Sequence, residues 1–213
     1  MRTLSYTQEY FLCAINGKGR ISVSAGKLCL IVSGITELVG RGYIARDGKE
    51  KLVAVQGWDN GLPYLKPLYE TIAAFKKPRR IGEIAINYSG KRFNELFSAV
   101  GASLTESGCA DEMTKKGLVR ETTKYIPRTE AVKRVVEKVR AEFLGEGGMS
   151  DGTICLAALL DVSGMIKKYF SKFERPDIKK RIEEARKNET YAAVKKILDE
   201  ITAAMVCVIA AAT

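Results

Sequence analysis

The chain has 213 residues, 46% of them hydrophobic and 28% charged, a composition typical of one or two soluble globular domains that excludes disordered, collagen-like and low-complexity proteins. It contains 35 Lys and Arg residues against 25 Asp and Glu residues and has no histidine, which excludes Ser-His-Asp and Cys-His nucleophiles, imidazole zinc ligands and histidine pH switches. The formal net charge of +10 favours a polyanionic partner such as nucleic acid, anionic lipid or an acidic protein.

The first quarter of the chain predicts two helices and a β-hairpin. Ser5 and Gln8 have the spacing of a capping box at the start of a short helix. Apolar residues between positions 27 and 39 predict a second helix. Apolar segments on both sides of Asp47-Gly48 predict the hairpin that follows it.

The middle of the chain predicts further helices and a second hairpin. The apolar spacing favours helices over residues 65–75, 92–100 and 104–116. After them, Leu118-Val119 and Lys124-Tyr125-Ile126 flank a polar segment, which predicts two short strands joined by a turn.

The remaining segments predict a run of helices without a dividing linker. Hydrophobic residues recur at helical spacing from Thr129, Ser150 caps a more apolar helix, and Pro176 begins a charged one. From Ile201 onward the last helix is apolar on every side, as expected for a helix surrounded by others. We therefore expect a single, mainly α-helical domain over residues 1–213, built around a central hydrophobic C-terminal helix, with one or two short β-hairpins.

The cysteines stand singly among apolar residues, without a CxxC motif, so we expect buried, reduced thiols. They are Cys13, Cys29, Cys109, Cys155 and Cys207. The first residues are too polar for a signal peptide, and no stretch approaches the ~20 apolar residues of a membrane-spanning helix. These features predict a cytoplasmic protein, either free or peripherally attached to a membrane.

The sequence offers little support for catalysis. The glycine clusters at residues 17–20 and 145–148 lack the spacing of a phosphate-binding loop. The acidic residues near apolar helices form no spaced pair that suggests acid–base chemistry or metal binding. We expect a protein that is not an enzyme and that has no metal or cofactor.

Basic residues provide candidate anion sites. Lys27 follows Ser24-Ala25-Gly26 at a predicted helix start, where free backbone amides favour phosphate. Basic stretches at residues 76–80, 115–128 and 167–172 either form an anion-binding face or are ordinary solvated surfaces.

Several short motifs resemble, in their order, those of the Golgi phosphoprotein 3 family. Residues 4–12, LSYTQEYFL, are similar to the opening segment of that family, and residues 37–44, ELVGRGYI, to its ELALRGRI motif. The similarity covers nearly the whole chain. The other matching segments are GRIS at 19–22, LYETI at 68–72, KPR at 77–79, KKGLV at 115–119 and PRT at 127–129.

This resemblance implies a mostly α-helical fold around a central hydrophobic helix, with a β-hairpin that contacts membranes or mediates oligomerisation. Eukaryotic members bind phosphatidylinositol 4-phosphate on a basic face and act as adaptors for Golgi enzymes. The expected function is therefore that of a non-enzymatic peripheral membrane or adaptor protein that binds an anionic, phosphoinositide-type headgroup. Its expected partners are an anionic membrane surface, a protein or a second copy of the chain.

The resemblance also implies positions for a headgroup pocket, which in the family contains a tryptophan and three arginines. The tryptophan position falls near Ser24, and the first arginine position falls near Lys27 or Ile31. The other two arginine positions fall near Ser103 and Glu106. Only Lys27 would keep a positive charge, so we expect weak selectivity among headgroups.

Two groups of candidate site residues follow. The first binds the headgroup, and the second contacts the membrane as a partly apolar tip. The headgroup residues are Arg20, Ser24 and Lys27, and the membrane-contact residues are Lys124, Tyr125 and Ile126.

A winged-helix-like nucleic-acid-binding protein is the alternative. Residues 28–55 and 104–126 each predict a helix followed by a hairpin with basic residues. Against this alternative, the first of these helices is too apolar for an exposed recognition helix. The second carries Glu106, Asp111 and Glu112, which would be repelled by DNA phosphates.

Overall fold

The computed structural model describes residues 3–21, 24–55, 57–116, 121–145 and 147–211. Within them the chain forms ten α-helices and two antiparallel β-hairpins, which confirms the mainly α-helical class. The helices are α1 (Tyr6–Ala14), α2 (Ser24–Gly40), α3 (Lys66–Ala73), α4 (Ile81–Asn87), α5 (Gly90–Glu106), α6 (Thr129–Leu144), α7 (Asp151–Val162), α8 (Ile166–Tyr169), α9 (Glu174–Lys187) and α10 (Ala192–Ala211). The strands are β1 (Ile44–Arg46), β2 (Leu52–Ala54), β3 (Ala110–Lys116) and β4 (Glu121–Pro127).

Helix α1 lies in the centre of the molecule. Its capping box forms as predicted: the Gln8 amide donates to Ser5 Oγ at 3.3 Å, and the Ser5 amide donates to Gln8 Oε1 at 3.1 Å. Every residue from Thr7 to Ala14 is buried. The helix packs against α2, α5, α6 and α7, so even its polar residues are enclosed by protein.

Helix α7 is the second central helix. Ser150 caps it as predicted, by accepting from the Thr153 amide at 3.4 Å. All residues from Thr153 to Leu160 are buried, and the helix contacts α1, α2, α6, α9 and α10. Because α1 and α7 each have helices on several sides, the hydrophobic core is arranged around this pair.

The C-terminal helix does not take the central position expected from its sequence. One side of α10 is buried through Val194, Leu198, Ile201 and Ala204, but the Val206 side chain is 60% exposed. The apolar run predicted burial on every side, whereas neighbouring helices cover only one side of the part that the structure describes. In that part, no helix is both long and apolar enough to span a bilayer.

The first hairpin is confirmed. Strands β1 and β2 are antiparallel, with Ile44 opposite Ala54. Asp47 closes the turn, because its Oδ1 accepts from the amides of Lys49 at 2.8 Å and Lys51 at 2.9 Å. These contacts span only a few residues, which is why the local sequence predicts them.

The second hairpin begins earlier than predicted. The helix expected over residues 104–116 is wrong: α5 continues without a break to Glu106 and ends before Gly108, which has a φ of +70°. Residues 110–116 then form β3, with Asp111 opposite Ile126 in β4. Met113 is exposed on this strand. The strand predicted at Leu118-Val119 lies outside the described residues.

Four cysteines are buried and outside any disulfide found in the described part of the chain, as predicted: Cys13, Cys29, Cys109 and Cys155. Burial raises the pKa of the Cys13, Cys29 and Cys155 thiols to about 12. The fifth, Cys207, has a side chain outside the described set. Neutral thiols in an apolar environment behave as small hydrophobic groups, so these cysteines contribute to packing.

A buried ion pair joins α1 to α6. The ammonium of Lys138 donates to both carboxylate oxygens of Glu9 at 2.6 Å, and Glu9 is almost fully enclosed. Burial raises the pKa of Glu9, although the hydrogen bond and charge of Lys138 oppose that shift. The lysine therefore compensates a carboxylate that is costly to hold at the centre of the fold.

The orientation of α10 predicts different responses to two charge substitutions. Ile201→Asp places an unpaired carboxylate in the core and should destabilise the protein by at least about 4 kcal/mol. Val206→Asp places the same group on an exposed position and should change the free energy of unfolding by less than about 0.5 kcal/mol. Urea denaturation of both variants measures this difference. Equal destabilisation would contradict the described orientation of the helix.

The Glu9–Lys138 pair predicts a pH-dependent stability defect. Lys138→Met leaves Glu9 buried without a counter-ion and should cost about 2 kcal/mol at pH 7, less than for a fully buried pair because Lys138 is partly exposed. Because burial raises the pKa of Glu9 in the folded state, folding favours the neutral form of this side chain. The defect should therefore shrink as the pH falls through that pKa.

Lys133→Met is the matched control, because Lys133 is an exposed lysine of the same helix. It should leave the free energy of unfolding unchanged between pH 5 and 7. A defect in Lys138→Met that does not vary over this pH range would show that Glu9 is not its cause.

Candidate functional site

A basic cavity of about 460 Å³ lies where α1 ends and α2 begins. Four segments line it: the turn at residues 19–21, Lys27 near the start of α2, residues 93–98 of α5, and residues 122–124 of β4. They come from distant parts of the chain. The cavity therefore depends on the tertiary fold and has no single sequence motif.

The turn after α1 positions Arg20. Asn16 organises it, because its Oδ1 accepts from the amides of Lys18 at 2.9 Å and Arg20 at 3.2 Å. Gly19 has a φ of +69°, and a Cβ at this position would lie 2.8 Å from Lys124 Cβ. Glycine is thus required both for the backbone conformation and for the close approach of β4. The result is that Arg20 and Lys124 line the same cavity.

Lys27 contributes the third positive charge. It lies in the first turn of α2, and its Nζ is 5.6 Å from the centroid of the Phe93 ring. This cation–π contact holds the ammonium near the cavity while leaving it exposed to solvent. Tyr10 anchors the same helix end by donating to the Gly26 carbonyl at 3.1 Å.

The cavity is electrostatically one-sided. Among the side chains that the structure describes, its charged lining residues are Arg20, Lys27 and Lys124, and none of these lining side chains is a carboxylate. Among the ion pairs found in the described part of the chain, none involves these three cations. Such an arrangement binds a multiply charged anion, because an anion would relieve the mutual repulsion of the cations.

The headgroup candidates are brought together in part. Arg20 and Lys27 line one cavity, as their common prediction required. Ser24 lies in the first turn of α2, and its side chain is outside the described set. Lys124, predicted as a membrane contact, joins the two headgroup candidates. Within the described residues, no group of His, Cys, Asp or Glu side chains could hold a metal ion.

The predicted apolar tip is wrong for Tyr125. Its side chain is only 4% exposed, its ring centroid lies 6.0 Å from that of Phe97, and Gly101 leaves the space that the ring occupies. Side chains alternate along a strand, so Lys124 reaches the cavity while Tyr125 points into the core. Ile126 is half-buried. Burial also raises the pKa of the Tyr125 phenol.

The family-derived positions on α5 do not share this cavity. Ser103 accepts from Gln8 Nε2 at 2.9 Å and, with Glu106, lines a separate cavity of about 840 Å³. The nearest α5 residue that lines the basic cavity is Ser98, five residues or ~7.5 Å of helix before Ser103. Ile31 is buried in the core. The positions that the resemblance implies for one headgroup pocket are therefore not gathered around a single cavity.

Sequence analysis missed the α5 side chains that do line the basic cavity. Phe93 and Phe97 are separated by one helical turn, and their rings lie 6.0 Å apart. Asn94 and Ser98 repeat that spacing next to them and add hydrogen-bonding groups to the lining. The i,i+4 repeat of the two phenylalanines was the available signal, but it is equally typical of a core stripe.

The larger cavity has a different character. It contains Glu37, a buried carboxylate whose Oε1 accepts from the Tyr64 hydroxyl at 2.6 Å. Burial, together with the charge of Glu37, raises the pKa of Tyr64. Two carboxylates, Glu37 and Glu106, line this cavity against one cation, Arg41. It therefore does not offer the anion-binding environment of the basic cavity.

Comparison with known proteins supports the resemblance. No curated protein matches the chain. The family model described as Golgi phosphoprotein 3 (GPP34) matches residues 7–201, a span that begins in α1, ends within α10 and includes every residue that lines the basic cavity. The chain therefore belongs to the Golgi phosphoprotein 3 family.

Proposed function

We propose that this protein is a non-enzymatic peripheral membrane adaptor that binds a phosphate-bearing lipid headgroup, of phosphoinositide type, in the basic cavity. The observation that carries the proposal is the convergence of Arg20, Lys27 and Lys124 from three separate segments on one cavity, where they are the charged residues of the described lining. Membership of the Golgi phosphoprotein 3 family supports the same function.

The size of the cavity suits a headgroup. Sites for small molecules commonly have volumes of ~300–1,000 Å³, and this one has about 460 Å³. A phosphorylated sugar or polyol would place its phosphate near the cations and its hydroxyls near Asn94, Ser98 and Thr123. The acyl chains of such a lipid would extend from the open side of the cavity towards the membrane.

The chemistry of the three cations predicts modest selectivity. Only Arg20 has the planar guanidinium that binds phosphate through two parallel hydrogen bonds. Lys27 and Lys124 act as point charges on flexible stems, which attract phosphate without fixing its orientation. The cavity should therefore prefer higher negative charge over a particular arrangement of phosphates.

The start of α2 adds to this attraction. A helix N-terminus carries a partial positive charge and several free amides. Lys27 lies in the first turn of α2, which is seventeen residues long. A headgroup in the cavity would thus lie near the positive end of a long helix dipole.

Nucleic acid binding fits the structure less well. A winged helix needs an exposed recognition helix, yet residues 29–38 of α2 are buried. In the second unit the expected bounds are wrong, because α5 ends at Glu106 and residues 110–116, expected in the helix, form the first strand of the hairpin. A lipid headgroup needs the basic cavity but no exposed recognition helix. This requirement favours a lipid ligand over nucleic acid.

Reversal of the charge at Lys27 tests the cavity. With ~1 kcal/mol for each basic residue near an anionic surface, Lys27→Glu should weaken binding to anionic vesicles by about 2 kcal/mol, or roughly thirtyfold. Lys187→Glu is the matched control, because Lys187 is an exposed lysine at the end of α9. It should weaken binding much less. Vesicle co-sedimentation at low salt measures both variants.

Salt and competing ligands provide the second part of the test. Surface attraction decays over a Debye length of ~8 Å at physiological salt, so a severalfold increase in salt should release the protein. Duplex DNA serves as a parallel ligand. Equal losses in Lys27→Glu and Lys187→Glu would contradict the cavity, and no binding of the unmodified protein to anionic vesicles at low salt would contradict the lipid function.

A further inference from the structure

Phe173 is an exposed aromatic residue at the start of α9. Its side chain is 77% exposed, the largest value among the large hydrophobic residues that the structure describes. Phe173 borders a surface groove between the end of α6 and the start of α9. The partly exposed Leu144 borders the same groove. An aromatic ring in water at a defined position is unfavourable by itself and suggests a partner surface.

The backbone holds Phe173 outward. The Ser171 amide donates to Glu174 Oε2 at 2.7 Å, and the Glu174 amide donates to Ser171 Oγ at 3.3 Å. Phe170, three residues before Phe173, is buried in the core, and the guanidinium of Arg140 lies 5.5 Å from its ring centroid. The segment is thus fixed on both sides of the exposed ring.

The segment that leads to the ring is rich in lysine. Lys172 Nζ lies 5.0 Å from the Phe173 centroid, and Lys167 and Lys168 are exposed on the preceding helix α8. None of the three takes part in an ion pair found within the described residues. The only carboxylate between positions 166 and 174 is Glu174, which lies 2.7 Å from Arg140 Nε; the same guanidinium also pairs with Glu137 at 2.7 Å.

The acidic residues that follow do not reverse this charge. Asp177 and Glu184 border the groove beside Phe173, together with Lys180 and Arg181. Lys180 Nζ lies 3.8 Å from a Glu184 oxygen. Residues 166–173 themselves contain three lysines and no carboxylate, with Lys172 beside the ring.

This segment lies at the same end of α1 and α2 as the basic cavity. The Tyr169 hydroxyl donates to the Cys13 carbonyl at 2.7 Å, one residue before α1 ends. The Met165 side chain lies beside Gly26, in the first turn of α2. The turn that carries Arg20 connects these two helix ends. The basic cavity and the segment that precedes Phe173 therefore lie at the same end of the α1–α2 pair.

We propose that residues 166–173 form a second membrane-contact element, in which Phe173 inserts among the lipids of an anionic bilayer while Lys167, Lys168 and Lys172 contact the headgroups. This inference rests on the proposed function, because the same bilayer supplies the headgroup in the basic cavity. Peripheral attachment generally needs two signals, one apolar and one electrostatic. Phe173 supplies the apolar signal that the basic cavity lacks.

The test compares Phe173 with an exposed hydrophobic residue elsewhere. Val55 is 58% exposed. Its amide donates to the carbonyl of Tyr43, which follows the C-terminal end of α2, whereas the basic cavity lies at the N-terminal end of that helix. Phe173→Ser and Val55→Ser are titrated with phosphatidylcholine vesicles in which about a quarter of the lipid is phosphatidylserine. Phe173→Ser should lower the partition coefficient on the order of tenfold, whereas Val55→Ser should change it by less than about twofold.

Fluorescence reports insertion directly. Phe173→Trp should show a blue-shifted emission when vesicles are added and should be quenched by brominated acyl chains. Val55→Trp should show neither effect. The signal of the native Trp58 is subtracted by using the unmodified protein under the same conditions. Thermal melting of each variant checks that exposed substitutions leave the fold intact.

The outcomes separate this inference from the proposed function. If the unmodified protein binds the anionic vesicles but Phe173→Ser binds equally well and Phe173→Trp is not quenched, the inference is overturned and the headgroup function survives. If the unmodified protein does not bind at all, both are overturned. If the Phe173→Trp emission shifts without vesicles as protein concentration rises, and sedimentation detects a dimer, the partner of Phe173 is a second copy of the chain, and the inference is overturned.

Discussion

The enclosure of α1 on all sides is the constraint on which the rest of the structure depends. A nine-residue helix with buried Gln8 and Glu9 is stable only if neighbouring helices satisfy these polar groups. Ser103 of α5 accepts from Gln8, and Lys138 of α6 neutralises Glu9. The same contacts that protect α1 therefore set the positions of α5 and α6 around it, and through α5 they position one wall of the basic cavity.

The functional end of the molecule follows from how α1 stops. Asn16 and Gly19 turn the chain sharply, so that the next residues reach β4 and then the start of α2. The buried helices carry little chemistry of their own. They hold loop and strand residues whose charges converge only because the helix ends are fixed, a common division of roles between scaffold and site.

Local interactions were predictable from sequence, and non-local ones were not. The caps at Ser5 and Ser150 and the turn at Asp47 involve residues a few positions apart, so their spacing suffices to identify them. Strand β3 is polar and depends on pairing with β4, which no local pattern shows. Alternation along β4 places the side chains of Lys124 and Tyr125 on opposite faces of the strand, but the sequence pattern does not identify which face packs against the core. For this reason Arg20 and Lys27 were predicted to bind the headgroup together, whereas Lys124 was predicted to contact the membrane.

The close approach of the Gly19 turn to β4 has an energetic consequence. It keeps the charges of Arg20, Lys27 and Lys124 around one cavity, where they repel one another whenever no anion is present. The empty site is thus a weak point in the folded state, and any anion that fills it stabilises the turn, the hairpin and the start of α2 together. Ligand occupancy and the local stability of this end of the protein are in this way thermodynamically linked.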